Sequence, residues 1–177
     1  MITYKNGDLL NSSAQVLTNT VNCVGVMGKG IALQFKNNFP EMFEDYKKKC
    51  DKGEVKLGQP YLWDNGKVQI LNFPTKGHWK ENSQLESIEA GLKYLAENYE
   101  VMGINSVSLP PLGCGNGGLN WKDVKNLINK HLGRLDMLDV YVYEAFDEVQ
   151  TDESNSSVLK QSSSRDDGMV AIQGSLI

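Results

Sequence analysis

The strongest constraint on the fold of this chain is a glycine-rich segment that joins a strand-like run to a helix-like run. Residues 16–21 are apolar or β-branched almost throughout, which is typical of a strand covered on both faces. Residues 21–31 follow, and they contain Gly25, Gly28 and Gly30. Glycine permits positive φ and lets a ligand approach the backbone, and we expect both here. Because the segment opens into a helix, whose N-terminal N–H groups attract anions, it predicts a phosphate-binding loop.

A second glycine-rich segment, residues 110–121, has the same setting. It follows a strand-like run that contains Val107 and Leu109, and Asn120 is placed to cap the helix after it. Loops that follow neighbouring parallel strands meet at the carboxyl edge of the sheet. The two segments are therefore predicted to clamp a diphosphate from both sides, although neither has P-loop spacing and the glycines of the first do not have G-x-G-x-x-G spacing.

The remaining strand-like patterns are short and regularly spaced. They predict strands at residues 2–5, 61–63, 68–73 and 138–143. Asn65-Gly66 gives the middle two strands the form of a hairpin. Residues 74–80 are expected to leave this hairpin as a loop.

Helix-like patterns separate these strands. One helix is predicted to start at Pro40, with Met42 and Tyr46 on its apolar face, and another at a capping box formed by Ser83 and Glu86. Strands that alternate with helices are typical of the α/β class. The pattern predicts a three-layer α/β/α domain.

The charge of the chain limits the partners it can hold. Over 177 residues the formal net charge is −4, which argues against bulk electrostatic binding of nucleic acid but allows one nucleotide to be gripped in a pocket. No apolar run is long enough to cross a membrane, and the first residues lack signal-peptide features. We therefore expect a cytoplasmic protein without a membrane partner, and we expect a monomer.

The three cysteines, Cys23, Cys50 and Cys114, have neither Cys-x-x-Cys nor Cys/His spacing. A zinc site or a disulfide framework is therefore not expected. Thiol catalysis is one interpretation, because Cys23 and Cys114 lie beside the glycine-rich segments. Packing is favoured instead, since only His78 and His131 are present to activate a thiol. Neither a metal nor a cofactor is predicted.

The composition changes near residue 148. Residues 1–147 are predicted to form the domain, whereas residues 148–177 are rich in serine and other polar residues. Such a segment contains too little apolar surface to fold by itself. A disordered or loosely packed tail is therefore predicted.

Five short motifs lie within the first 147 residues. They are residues 7–10 (Gly-Asp-Leu-Leu), 19–22 (Asn-Thr-Val-Asn), 24–32, 73–76 (Phe-Pro-Thr-Lys) and 111–119. With these motifs the chain resembles the macrodomain family, an ADP-ribose-binding α/β/α fold with a central mixed sheet. The last three are most similar to its DarG-like branch, which removes ADP-ribose from thymidine bases of DNA modified by a DarT toxin. The resemblance implies a lysine-dependent DNA ADP-ribosyl glycohydrolase, with a DarT-like toxin as a possible partner.

The resemblance also assigns roles within these motifs. Asp8 is expected to hold adenine, Asn22 to approach the distal ribose, and Lys76 to act in catalysis. Residues 25–31 contact the diphosphate and the distal ribose, and residues 113–119 wrap the diphosphate from the other side. The implied ADP-ribose-binding residues are Asp8, Leu9, Thr20, Asn22, Gly25, Val26, Met27, Gly28, Lys29, Gly30, Ile31, Pro111, Leu112, Gly113, Cys114, Gly115, Asn116, Gly117, Gly118 and Leu119.

The chemistry of glycosidic cleavage supports a catalytic role for Lys76. Cleavage at the anomeric carbon passes through an oxocarbenium-like state, and an unprotonated lysine amine can open the ribose ring as a Schiff base. From the residues alone, the alternative is a phosphate-steering or solvated lysine. The related eukaryotic branch, which acts on protein carboxylates, adds an aspartate in the second loop at a position that matches about Gly117 here, where this loop has no carboxylate. The absence of this aspartate fits the DarG-like branch. The substrate phosphate or a backbone carbonyl is then left to position the water.

Two aromatic residues follow Lys76 in the same loop. One interpretation is that Trp79 stacks on the substrate base while His78 donates a hydrogen bond to it. The alternative is that Trp79 packs against the protein and His78 lies on the surface. Trp121, next to the second glycine-rich segment, is expected in the core.

Two further functions stay open on the sequence alone. One is a non-catalytic reader that binds ADP-ribose or its conjugates, for which Lys76 is dispensable. The other is a hydrolase of ADP-ribosylated protein carboxylates or of small ADP-ribose derivatives. Retention of binding without turnover distinguishes the reader from either hydrolase.

Overall fold

Within residues 1–144, which the computed structural model describes, six strands form one mixed sheet. The strands are β1 (Ile2–Lys5), β2 (Val16–Asn22), β3 (Tyr61–Asp64), β4 (Gln69–Lys76), β5 (Ser106–Leu109) and β6 (Asp139–Tyr143). The helices are α1 (Gly30–Asn38), α2 (Pro40–Asp51), α3 (Leu85–Asn98) and α4 (Trp121–Leu132), with a short 3-10 helix at Leu9–Asn11. The predicted α/β class is confirmed.

The order of strands across the sheet is β1-β6-β5-β2-β4-β3. Five of these strands run parallel, and β3 alone among the described strands is antiparallel, paired with β4 through the predicted hairpin. Strand β2 therefore lies between β5 and β4. The loops that follow these three neighbouring strands emerge side by side at the carboxyl edge of the sheet.

Helices cover both faces of the sheet, as the three-layer prediction requires. On one face α1 and α2 bury Phe35, Met42 and Tyr46 against the strands. On the other face α3 and α4 bury a second set: Ile88, Leu92, Leu95, Val124, Ile128 and Leu132. Strand β2 is covered on both sides, which explains its nearly continuous apolar and β-branched sequence.

The predicted loop at residues 74–80 begins too early. Strand β4 continues through Pro74 to Lys76 and pairs with β2 over this length. Proline is tolerated here because β3 covers β4 only as far as Asn72, so the strand has an open edge beyond that residue. The extension matters for function because it places Lys76 on a strand rather than on a loop.

The predicted capping box at Ser83 and Glu86 is wrong. The N-cap of α3 is Gln84, and its side chain makes no capping hydrogen bond. Ser83 instead points into the protein, where it is 3% exposed, and its N–H donates to the carbonyl of Gly117 at 3.0 Å. A tertiary contact with a loop far along the sequence has overridden the local signal.

The predicted boundary at residue 147 and the predicted tail at residues 148–177 lie outside the described residues. Among the described helices, none combines the length and the apolar character needed to span a bilayer.

Candidate functional site

A cleft of about 980 Å³ lies at the carboxyl edge of the sheet. Three loops surround it, and we name them by the strands that they follow. The first glycine loop (residues 23–29) follows β2, the bridging loop (residues 77–83) follows β4, and the second glycine loop (residues 110–120) follows β5. The predicted convergence of the two glycine-rich segments is therefore observed.

The first glycine loop is shaped by the side chain of Asn22. Its Oδ1 accepts hydrogen bonds from the N–H groups of Val24 at 3.1 Å and Val26 at 3.3 Å, and its Nδ2 donates to the carbonyl of Val26 at 2.6 Å. The Tyr46 hydroxyl lies 2.8 Å from the carbonyl of Asn22 and 3.0 Å from its Oδ1. Asn22 is 8% exposed, so it acts first as an organiser of this loop.

The loop delivers the chain to the N-terminus of α1, which faces the cleft. Residues 29–32 all line the cleft, the N-cap Lys29 makes no side-chain capping bond, and the first turn carries no acidic residue. The first N–H groups of an α-helix have no intrahelical hydrogen-bond acceptor. This helix end is therefore suited to an anion.

The glycines of the first loop differ in what they require. Gly25 and Gly30 have φ of +81° and +57°, as predicted, whereas the φ of Gly28 lies outside the left-handed region, so the prediction is wrong there. A Cβ at Gly28 would meet only Val26, at 3.8 Å. The backbone therefore does not require glycine at position 28.

The second glycine loop is folded tightly on itself and on Ser83. The N–H of Leu119 donates to the carbonyl of Gly113 at 3.0 Å, and Gly113 has a φ of +71°. A Cβ at Gly117 would overlap both the Gly113 carbonyl and the Ser83 hydroxyl. The loop therefore has no room for a side chain at position 117.

Lys76 links β4 to the second glycine loop. It pairs with Asn22 in the sheet, lines the cleft, and its Nζ donates to the backbone carbonyl of Asn116 at 2.5 Å. The side chain of Asn116 reaches further, with Nδ2 3.2 Å from the position that a Cβ would take at Gly30. Lys76 therefore stands where β4, the second glycine loop and the start of α1 meet.

Most of the predicted ADP-ribose-binding residues line this cleft. They are Thr20, Asn22, Val26, Gly28, Lys29, Gly30, Ile31, Pro111, Gly113, Cys114, Gly115, Asn116, Gly117 and Leu119, together with Lys76 and Trp79. Sequence reasoning missed or misplaced others that line it: Val21, Ala32, Thr75, Lys80, Pro110 and Trp121. Val21, Ala32 and Thr75 lie within the motifs, Pro110 and Trp121 lie within two residues of one, and Lys80 belongs to the bridging loop. Trp121, which was expected in the core, is half-buried and packs against the core.

Seven predicted residues do not line the cleft: Asp8, Leu9, Gly25, Met27, His78, Leu112 and Gly118. Leu9, Met27 and Leu112 are buried, so they support the walls from within the core. Asp8 is exposed, and its Oδ1 accepts from the N–H of Leu10 at 2.9 Å as the cap of the short 3-10 helix. Its predicted contact with adenine stays a prediction, as do the other ligand roles.

The charge of the cleft is opposite to that of the whole chain. Its charged lining residues within the described part are Lys29, Lys76 and Lys80, with neither aspartate nor glutamate among them. In residues 1–144 no three His, Cys, Asp or Glu side chains lie close enough to share a metal ion. The cleft is suited to a polyanion.

The cysteine thiols are expected to be unreactive at neutral pH. Burial raises the pKa of Cys114 to about 11 and is the main cause of the raised pKa of Cys23 and of Cys50. Since the thiolate is the nucleophile, alkylation by iodoacetamide should be slow at neutral pH and should accelerate as the pH rises towards these values. Rapid labelling of Cys114 at neutral pH, or abolished turnover in Cys114→Ala, would restore the thiol-catalysis interpretation.

Substitution of Asn22 should loosen the first glycine loop. In Asn22→Ala the N–H groups of Val24 and Val26 lose their acceptor, so the free energy of unfolding should fall by about 1–3 kcal/mol. Affinity for ADP-ribose should fall with it. Thermal unfolding and calorimetric titration measure the two effects. Asn38→Ala is the matched control, because Asn38 is exposed and bonds only within α1; equal losses in both variants would contradict this role.

A family model described as Macro domain matches residues 18–128. This chain belongs to the Macro domain family. The predicted family resemblance is thereby confirmed, and four of the five motifs on which it was based contribute residues to the cleft.

Close relatives of this macrodomain share the same branch. It is 50% identical over 147 residues to a "DNA ADP-ribosyl glycohydrolase" of Mycobacterium tuberculosis, covering 81% of this chain and 42% of the relative. The solved macrodomain of Mycobacterium tuberculosis DarG has a TM-score of 0.78 at 50% identity, with 81% of this chain and 97% of that chain covered. Thermosipho africanus DarTG in complex with ADP-ribose has a TM-score of 0.77 at 39% identity, with coverage of 82% and 42%. The chain therefore spans about two fifths of the length of the curated relative.

Proposed function

We propose that this macrodomain is an ADP-ribosyl glycohydrolase that removes ADP-ribose from thymidine in ADP-ribosylated DNA. The observation that carries the proposal is the position of Lys76, which is the last residue of β4 and lines the cleft between the two glycine loops. The 50% identical relative is named for this activity. An amine at this point can act as the nucleophile at the anomeric carbon of a bound ribose.

The proposed placement of ADP-ribose follows the electrostatics of the cleft. The diphosphate lies between the N-terminus of α1 and the second glycine loop, where backbone N–H groups and Lys29 offset its charge. The distal ribose then extends towards Lys76 and Asn22. Asp8, on the same edge of the sheet, is proposed to hold the adenine.

The proposed reaction uses Lys76 as a nucleophile. Its amine attacks the anomeric carbon, the glycosidic bond to the base breaks, and the base leaves with the proton that the amine loses. The ribose ring opens to a Schiff base, and water then hydrolyses this intermediate to free ADP-ribose and the lysine. Because a side chain at position 117 has no room, we propose that the Asn116 carbonyl or the substrate diphosphate orients the water.

The modified DNA must be supplied by a transferase that attaches ADP-ribose to the same base, which is the opposite reaction. A Thermosipho africanus relative, 40% identical over 156 residues, is named a fusion of a DNA ADP-ribosyl transferase and a DNA ADP-ribosyl glycohydrolase. We therefore propose a DarT-like toxin as the functional counterpart of this macrodomain. In this proposal the toxin and the macrodomain are linked because they act on the same thymidine bases of DNA.

The test is a comparison of two substrates. A single-stranded oligonucleotide ADP-ribosylated on thymidine and a peptide ADP-ribosylated on a carboxylate are each incubated with the protein, and products are resolved by mass. Release of ADP-ribose with unmodified oligonucleotide supports the proposal. Cleavage of the peptide alone would place the protein with the protein-directed branch, and binding of ADP-ribose without cleavage of either substrate would identify a reader.

A further inference from the structure

The tip of the bridging loop carries an exposed aromatic residue that lines the same cleft as the proposed catalytic lysine. Trp79 lines the cleft, yet it is 48% exposed. The ring of His78 stacks against the indole, with centroids 5.4 Å apart and planes inclined by 28°. The Nζ of Lys80 lies 5.0 Å from the indole centroid. A large apolar surface is thus presented at the mouth of a cationic cleft, where packing within the described fold does not cover it.

The bridging loop is held at both ends by the glycine loops. The carbonyl of Gly77 accepts from the N–H of Cys23 at 3.1 Å, and the N–H of Ser83 donates to the carbonyl of Gly117 at 3.0 Å. The tip between these contacts is therefore fixed relative to both walls of the cleft. Because Trp79 and Lys76 line the same cleft, the indole can meet a base that is attached to a ribose bound there.

The tip itself is ordered by a compact set of hydrogen bonds. The N–H of His78 donates to Oε2 of Glu81 at 3.0 Å, and the N–H of Glu81 donates back to the His78 carbonyl at 3.0 Å. The N–H of Lys80 donates to Nδ1 of His78 at 3.2 Å, so in the neutral ring the proton is on Nε2. A prearranged indole face lowers the entropy cost of stacking a planar ligand on it.

We propose that Trp79 and Lys80 form a nucleotide platform, in which the indole stacks on the base that carries ADP-ribose and Lys80 pairs with an adjacent backbone phosphate. The exposed lysine gives up its place over the indole and turns to the phosphate when the base binds. Stacking on an aromatic ring is possible for any base and adds to the affinity for the modified nucleotide. A carboxylate side chain of a protein that carries ADP-ribose has no ring to stack and does not gain this affinity. The platform therefore selects nucleic acid over protein as the carrier of ADP-ribose. This inference rests on the proposed function for the identity of the substrate.

The first test measures binding in the Lys76→Ala background, so that turnover does not intervene. Dissociation constants are determined for free ADP-ribose and for ADP-ribosylated thymidine monophosphate. The platform predicts tighter binding of the nucleotide, and Trp79→Ala should weaken nucleotide binding by about 5- to 100-fold while leaving the affinity for ADP-ribose unchanged. Trp79→Phe should recover most of the nucleotide affinity. Met137→Ala is the control for removal of an exposed apolar side chain away from the cleft.

The second test separates Lys80 from Trp79 by the length of the DNA. Lys80→Ala should weaken binding of a modified oligonucleotide, which has flanking phosphates. The plot of log affinity against log salt should become shallower, its negative slope losing about one unit of magnitude. Lys80→Ala should have little effect on binding of ADP-ribosylated thymidine, the nucleoside, which has no backbone phosphate. Lys67→Ala is the matched control, because Lys67 is exposed on the hairpin at the opposite end of β4.

The outcomes distinguish the platform from the proposed function. Equal effects of Trp79→Ala on ADP-ribose and on the nucleotide would overturn the platform and make Trp79 part of the ADP-ribose site. Unchanged nucleotide binding in Trp79→Ala would overturn it as well, even where the wild-type protein cleaves DNA. A selective loss of nucleotide binding in Trp79→Ala supports the platform. If the wild-type protein nevertheless fails to cleave the oligonucleotide, only the proposed glycohydrolase reaction is contradicted.

Discussion

Lys76→Ala should lower the rate of ADP-ribose release from modified DNA by about 10²–10⁴-fold, a range typical of the loss of a positioned proton-transfer or reacting group. The affinity for free ADP-ribose should stay close to that of the wild type. The reason is geometric, because the proposed diphosphate contacts are made by the N-terminus of α1 and by the glycine loops. Lys76 donates one hydrogen bond to the second glycine loop, but the Leu119–Gly113 and Ser83–Gly117 hydrogen bonds hold that loop as well. Single-turnover measurement on the modified oligonucleotide isolates the chemical step.

Lys76→Arg distinguishes reaction from charge. Arginine keeps the positive charge and can still donate to the Asn116 carbonyl, but it stays protonated and does not act as a nucleophile. We expect Lys76→Arg to be as inactive as Lys76→Ala, whereas Lys67→Ala should retain full activity. Retained turnover in Lys76→Arg would show that the lysine steers phosphate, and retained turnover in Lys76→Ala would remove it from the mechanism.

Gly117→Ala should collapse the second glycine loop. The added Cβ overlaps the Gly113 carbonyl and the Ser83 hydroxyl, and the carbonyl belongs to backbone that cannot turn aside as a flexible side chain does. Ser83 is itself buried and bonded to Gly117, so relief requires the bridging loop to move as well. We expect the free energy of unfolding to fall by about 1–3 kcal/mol, as for other overpacked sites, and ADP-ribose affinity to fall with it.

Gly115→Ala is the matched control in the same loop. Gly115 is exposed, its φ lies outside the left-handed region, and a Cβ there would meet nothing within 4 Å. Chemical denaturation of the two variants should therefore diverge; because Gly115 lines the cleft, the comparison is made on stability alone. Gly117→Asp should be inactive for the same steric reason, although it introduces the aspartate of the eukaryotic branch. Wild-type stability and affinity in Gly117→Ala would contradict this account.

Local patterns predicted the architecture well because they report on short stretches of backbone. The 3.6-residue periodicity around Met42 and Tyr46, the Asn65-Gly66 turn and the Asn120 cap each occur as predicted. Two local predictions were wrong. Pro74 was interpreted as the end of a strand and Ser83 as a helix cap, and in both cases a contact from elsewhere in the chain decided the outcome.

By itself the sequence determined that two glycine-rich loops meet at one edge of a parallel sheet, since strand and helix periodicity and the positions of glycine are local properties. It also singled out Lys76 through its motif. Only the tertiary structure decided that Lys76 reaches Asn116, 40 residues away, that Gly117 has no space for a side chain, and that the bridging loop is bonded to both glycine loops. These contacts join residues distant in sequence, and their distances depend on how β2, β4 and β5 lie side by side, which local sequence patterns do not encode.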